Sequence, residues 1–155
     1  MKSVIALILG ILFSAEVSYA NTIKESMSFG KHDRCSFMCS VFRDNAVGLC
    51  MSRGYAQGEA KNCNCNENRE HPNAYGDISC SSKLPSNMYG NILKLPLAGK
   101  RCSQMAPSFE YEINAKCREK GYKSGVLLSN IQCSEAENTK WAIASVRCEG
   151  KADEF

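Results

Sequence analysis

The ten cysteines are the residues of this chain with the widest chemistry, because a thiol can serve as a nucleophile, a metal ligand or half of a disulfide. Eight of them form two sets of four, Cys35, Cys50, Cys65 and Cys80, then Cys102, Cys117, Cys133 and Cys148. The intervals are 15, 15 and 15 in the first set and 15, 16 and 15 in the second. Recurrence of this kind predicts an internal duplication.

Residues between the cysteines repeat as well. Gly54-Tyr55 follows Cys50 at the same distance as Gly121-Tyr122 follows Cys117. A glycine after a helix suits a left-handed cap, and the tyrosine beside it can cover the helix end or contact a partner. We favour packing at the helix end for Tyr55 and Tyr122 and a core position for the single tryptophan, Trp141, and we keep all three as possible contact residues.

The first twenty residues have the pattern of a secretory signal peptide. Lys2 gives a positive start, the stretch 4–13 is apolar, and Ser18-Tyr19-Ala20 supplies the small residues of a cleavage site. The apolar stretch is too short to span a bilayer as a helix, and nothing after it is apolar enough to do so. The sequence therefore predicts a secreted, extracellular or periplasmic protein.

An oxidising compartment makes disulfides the expected state of the cysteines, and their even number leaves no free nucleophile. Zinc is disfavoured because Cys63-Asn64-Cys65 is spaced more closely than paired zinc thiolates usually are. Only two histidines, His32 and His71, are available as further ligands. We expect no metal and no cofactor.

Charge argues against a nucleic-acid partner. The formal net charge is +3, and the lysines and arginines are interspersed with acidic residues. Nucleic-acid binding requires a dense basic patch, which this pattern does not provide. The expected partner is therefore an unknown protein or a cell-surface ligand.

Periodicity places one helix and several strands in each half of the chain. Phe109, Ile113 and Cys117 recur every four residues, which predicts a helix that begins near Pro107 and ends at Gly121. The corresponding helix of the first half is expected over 42–53. Strands are expected over 74–80, 126–133 and 141–148, around Ile23, and over 92–95.

These elements predict an α+β fold of two tandem small disulfide-stabilised modules. Each module is a β-α-β-β unit in which one helix packs on a small antiparallel sheet. The expected division is a signal peptide at 1–20, unit 1 at 22–82, a linker at 83–89, unit 2 at 90–150 and a tail at 151–155.

The predicted topology assigns the disulfides. The cysteine at the end of each helix should lie beside the end of the last strand, and the cysteine before each helix beside the end of the preceding strand. Cys39 and Cys63 have no counterparts in the second half, so we pair them with each other. The predicted bridges are Cys35–Cys65, Cys50–Cys80, Cys39–Cys63, Cys102–Cys133 and Cys117–Cys148.

One short stretch is similar to a known family. Cys35-x-x-x-Cys39 with Cys63-x-Cys65 resembles the helix and strand cysteines of the cysteine-stabilised αβ peptides, the defensin-like group. The resemblance covers some 30 residues, and the usual Gly-x-Cys ahead of the strand is missing. It implies a different pairing, Cys35–Cys63 and Cys39–Cys65.

Catalytic constellations are scarce. Glu110 and Glu112 are two residues apart on a helix and face different ways, and Glu135 and Glu137 fall in a predicted turn. The sequence therefore favours a non-catalytic binding protein, with no catalytic residue assigned. The alternatives are a secreted toxin, antimicrobial or immune effector, or, less favoured, a small secreted hydrolase that uses carboxylates between the units.

Overall fold

A computed structural model describes residues 20–67, 70–134 and 140–151, so the predicted signal peptide lies outside the described residues except for Ala20, and the tail beyond Lys151 lies outside them too. Within these ranges the fold is α+β, as predicted. Its elements are β1 (Asn21–Ser28), α1 (Cys35–Asp44), α2 (Ala46–Ser52), β2 (Tyr55–Ala60), β3 (Asn64–Asn66), β4 (Asn73–Lys83), β5 (Met88–Pro96), a short 3₁₀ helix (Cys102–Gln104), α3 (Ala106–Glu119), β6 (Tyr122–Leu127), β7 (Gln132–Ser134) and β8 (Trp141–Lys151).

The strands form two antiparallel sheets, and the strands of both sheets are arranged in the same order. In the first sheet β4 lies between β1 and β2, and β3 pairs with β4 beyond the end of β2. In the second sheet β8 lies between β5 and β6, and β7 pairs with β8 beyond the end of β6. The continuous strand predicted over 126–133 is wrong, because pairing with β8 stops at Leu127 and resumes at Gln132.

The helix of the first half differs from the prediction over 42–53. It begins at Cys35, where the Glu67 carboxylate accepts the Cys35 backbone N–H at 2.8 Å, and it is broken at Asn45. The Asn45 side chain donates to the Val41 carbonyl at 2.9 Å, so it competes with the helical backbone for an acceptor four residues back. The spacing of apolar residues in the sequence does not predict this break.

The ends of the remaining helices follow the sequence signals. Pro107 lies in the first turn of α3, and Gly121 follows its last turn with a φ of 79°. Gly54 has a φ of 86° after α2. Both glycines adopt the left-handed conformation that a side chain disfavours. None of the helices in the described ranges has the length and hydropathy that crossing a bilayer requires.

β8 is buried on both faces, and its alternate residues belong to two hydrophobic cores. Trp141 and Ile143 pack into a core with Met38, Phe42 and Ile78 from the first half of the chain. The residues on the opposite face pack against α3 with Phe109 and Ile113; they are Ala142, Ala144, Val146 and Cys148. The layers therefore run in the order first sheet, α1 and α2, second sheet, α3.

Small residues allow α2 to approach the second sheet closely. A Cβ atom on Gly48 of α2 would lie 2.5 Å from the Ser145 hydroxyl oxygen, and one on Gly90 of β5 would lie 2.3 Å from the Met51 sulfur. On the opposite side of α2, a Cβ on Gly58 of β2 would lie 2.5 Å from the Ala46 carbonyl oxygen. The glycines thus allow α2 to pack closely against both sheets.

A buried polar cluster joins the two halves at this contact. Asn45 and Ser145 have no exposed surface, and the Ser145 hydroxyl donates to Asn45 Oδ1 at 2.9 Å. Asn45 Nδ2 donates to Gln132 Oε1 at 3.3 Å, and the Ser129 hydroxyl donates to Asn45 Oδ1 at 3.2 Å. Because buried polar groups cost free energy unless they are bonded, this cluster fixes how the halves meet.

Replacing Asn45 with alanine should lower the free energy of unfolding by roughly 2 to 4 kcal/mol, because it leaves buried partners without hydrogen bonds. Asn114→Ala is the matched control: Asn114 also donates to a helical carbonyl four residues back, but it lies within one half and is not fully buried. Its loss should be about 1 kcal/mol. Guanidinium unfolding with intact disulfides measures both, and equal losses would contradict the assigned role of Asn45.

Candidate binding surface

The two repeated tyrosines lie partly buried at the starts of β2 and β6. Tyr55 packs against the first core, and its hydroxyl accepts a hydrogen bond from Asn21 Nδ2 at 2.8 Å. The Tyr122 hydroxyl donates to the Met88 carbonyl at 3.4 Å, and its ring centroid lies 6.3 Å from that of Tyr89. Both rings therefore take part in packing behind the capping glycines.

Trp141 lies in the core between the halves, which is the position that its place on a predicted strand favours, so it is not available as a contact residue. It is 5% exposed, with ring centroids 5.9 Å from Phe29 and 6.1 Å from Phe37. The Lys94 ammonium lies 4.3 Å from the centre of the Trp141 ring. Sequence order gave no sign of these ring contacts, because Phe29 and Phe37 belong to the first half.

A buried carboxylate lies at the same junction. Asp33 is 8% exposed; it accepts from the Gly30 backbone N–H at 2.9 Å and from the Ser134 hydroxyl at 2.5 Å. Burial lowers the pKa of the nearby Lys94 ammonium, and attraction to Asp33 opposes that shift. The hydrogen bond between Asp33 and Ser134 crosses the contact between the halves.

The structure has five disulfides, and they join the same pairs that the predicted topology gives. They are Cys35–Cys65, Cys39–Cys63, Cys50–Cys80, Cys102–Cys133 and Cys117–Cys148, with Cα–Cα distances between 5.3 and 5.9 Å. The pairing implied by the defensin-like resemblance is wrong. Cys35, Cys65 and Glu67 lie close enough to suggest a metal site, but the two sulfurs are bonded to each other and are not thiolates.

The histidines and paired acids are not brought together. His32 lies at a cavity of about 230 Å³ that Asp33, Phe37 and Ser134 also line, and His71 is exposed elsewhere. On α3, Glu110 is exposed and Glu112 is partly buried. Glu135 and Glu137 lie outside the described residues.

The outer face of the first sheet is open and polar. On β4, Ala74, Ile78 and Cys80 point into the core, and the residues between them point away from it. β1 and β3 supply residues directly opposite them in the register. β2 adds Gln57 and Glu59, which lie opposite Ser81 and Ser79. The rest of the outer set is Thr22, Lys24, Ser26, Asn64, Asn66, Asn73, Tyr75, Asp77, Ser79 and Ser81.

Tyr75 is the large aromatic residue of this face, with 44% of its surface exposed. Two surface cavities share it. One, of about 710 Å³, is lined by Cys35, Cys65, Asn66, Glu67, Asn73 and Tyr75. The other, of about 240 Å³, is lined by Lys24, Glu25, Asn62, Asn64, Tyr75, Gly76 and Asp77. We refer to these lining residues together as the Tyr75 surface.

Hydrogen bonds hold one side of the Tyr75 surface in place. Asn62 Nδ2 donates to Asp77 Oδ2, and Asn62 Oδ1 accepts the Asp77 backbone N–H, both at 2.8 Å. These two hydrogen bonds orient the Asp77 carboxylate beside the loop between β2 and β3. A rigid array of amide, carboxylate and aromatic groups has the composition of a recognition surface.

The Tyr75 surface was not predicted from the sequence. Its signal was the alternation along β4, in which Asn73, Tyr75, Asp77, Ser79 and Ser81 stand between small or apolar residues. In β8 the residue five positions before the last cysteine of the half is Ile143, and the same position in β4 is Tyr75. Ile143 lies on a sheet face that α1 and α2 cover, whereas Tyr75 lies on a sheet face that is exposed.

Comparison of the chain with protein-family models, with curated proteins and with solved structures finds no match. Functional inference for this protein therefore depends on its own geometry.

Partial reduction should follow the exposure of the disulfides. Cys35 and Cys65 are partly exposed and line a cavity, whereas Cys50 and Cys80 have no exposed surface. Cys35–Cys65 should therefore open before Cys50–Cys80 under limiting phosphine. Alkylation and mass mapping at increasing times give the order, with Cys102–Cys133 against the more buried Cys117–Cys148 as the matched comparison. Simultaneous opening of all bridges would contradict this expectation.

Proposed function

We propose that this protein is an exported, non-catalytic binding protein, built of two duplicated disulfide-stabilised units, that recognises its partner through the Tyr75 surface. The observation that carries the proposal is the open outer face of the first sheet, where an exposed aromatic ring lies among amides and hydroxyls and lines two cavities. Tyrosine with serine and asparagine gives rigid contact area together with adaptable hydrogen bonds.

Matching registers support the duplication. Gly58 pairs with Cys80 in the first sheet as Gly125 pairs with Cys148 in the second. Cys65 pairs with Ala74 as Cys133 pairs with Ala142. The buried helix residues also recur at the same distance from the helix cysteine; they are Met38 and Phe42 in the first half, and Met105 and Phe109 in the second.

Export is supported by the disulfides and by the position of β1. Five bridges require an oxidising compartment to form and persist. Cleavage after Ala20 would leave Asn21 as the first residue, and Asn21 is also the first residue of β1. The mature chain would then begin directly with the edge strand of the first sheet.

Replacing Tyr75 with alanine should weaken partner capture by about tenfold or more, because exposed aromatic anchors carry much of an interface's binding energy. Tyr111→Ala is the matched control, since Tyr111 is 74% exposed on α3, away from the first sheet. The full chain, disulfides intact, is immobilised and exposed to material from its secretion environment, and bound components are quantified.

The proposal is supported by capture that Tyr75→Ala removes and Tyr111→Ala retains. Thermal unfolding of both variants shows whether the fold is kept. Capture equally strong in wild type and Tyr75→Ala, or lost in Tyr111→Ala alone, would overturn the assignment of this surface.

A further inference from the structure

We infer that the Tyr75 surface binds a neutral oligosaccharide, an inference that rests on the proposed binding function and names its ligand class. The aromatic ring gives the first reason. One side of a pyranose ring carries mainly C–H groups, and such a side packs on an aromatic face while the hydroxyls remain at the rim. Tyr75 is exposed and lines two cavities, so a sugar in either cavity could contact its ring.

The amide groups give the second reason. A sugar hydroxyl both donates and accepts hydrogen bonds, and an asparagine side chain provides both functions in one plane. Asn62 and Asn64 line one cavity and Asn73 lines the other. Asp77 adds two acceptor oxygens in an orientation that Asn62 fixes at 2.8 Å. Each cavity therefore has planar amides beside the same aromatic ring, which suits a ligand that carries many hydroxyl groups.

Charge balance gives the third reason, and it indicates a neutral ligand. Lys24 lies directly opposite Asp77 in the register of β1 and β4. Glu25 forms an ion pair with Arg53 at 2.8 Å, and Glu67 accepts the N–H of Cys35 at the positive end of α1. An opposite charge thus lies near Asp77, another pairs with Glu25, and a helix N-terminus lies beside Glu67. Such a surface complements an uncharged ligand better than a polyanion or a polycation.

The position of Tyr75 in the sheet argues against an added peptide strand. Extended peptides bind by pairing with the backbone of an edge strand. Tyr75 lies on β4, which is paired on both sides, to Ser26 of β1 and to Asn64 of β3. Recognition here must therefore use side chains, which favours a ligand with polar groups on its own surface.

The test is a glycan array that carries neutral oligosaccharides of hexoses and N-acetylhexosamines beside sulfated and sialylated counterparts. The probe is the full chain with its five disulfides, and hits are titrated against ¹⁵N-labelled protein. Saturable binding of neutral oligosaccharides is expected, with amide shifts at Asn64, Tyr75 and Asp77. Tyr75→Ala should weaken it by about tenfold. Tyr111→Ala should not, and raising salt from 50 to 500 mM should change affinity by less than about twofold.

Three results would overturn the inference: no binding across the neutral set, binding confined to sulfated or sialylated glycans with loss at high salt, or neutral binding that Tyr75→Ala leaves intact. Capture of a protein partner that depends on Tyr75, together with a silent array, would reject the oligosaccharide while retaining the binding function. Loss of both would reject the surface altogether.

Discussion

The contact on which the structure depends is the burial of α1 and α2 between two sheets. Helices of ten and seven residues are too short to persist in water without tertiary contacts. The first sheet holds them through disulfides and through the close approach at Gly58, and the second sheet covers their other side at Gly48. The two halves therefore share a core, and neither the helices nor the inner face of β8 is complete without the other half.

Much of this fold can be read from the sequence, because its strongest constraints are local. The cysteine intervals and the order of helix and strands suffice to derive five pairs with the right partners. Gly54 and Gly121 mark helix ends because left-handed backbone needs a residue without a side chain. The strands expected around Ile23 and over 92–95 are both present, and their observed bounds, Asn21–Ser28 and Met88–Pro96, are longer.

What the sequence does not reveal are the contacts that cross between the halves. The Asn45 side chain at the helix break bonds to Ser145, which lies a hundred residues away. The burial of Trp141 depends on Phe29 and Phe37. The candidate site was missed for a related reason. Whether an outer-face tyrosine such as Tyr75 is exposed or buried depends on which layers cover the sheet, and the sequence does not show those layers. Tyr55 and Tyr122 stand out in the sequence because they occupy equivalent positions in the two halves. They do so because each packs beside the glycine that caps a helix.

The stacking of the halves also explains why one sheet face remains exposed. The contact is head to tail: the helices of the first half meet the sheet of the second, so the surfaces left at the two ends differ. Contacts of this type can continue into filaments unless the ends are polar. Here the outer side of α3 carries exposed Lys116 and Arg118, and the first sheet carries Lys24 and Asp77 around Tyr75. The position that is Ile143 in the covered sheet is Tyr75 in the open one, a difference that disfavours further stacking and leaves an aromatic residue exposed to water. The end of the stack is thus also the surface proposed for binding.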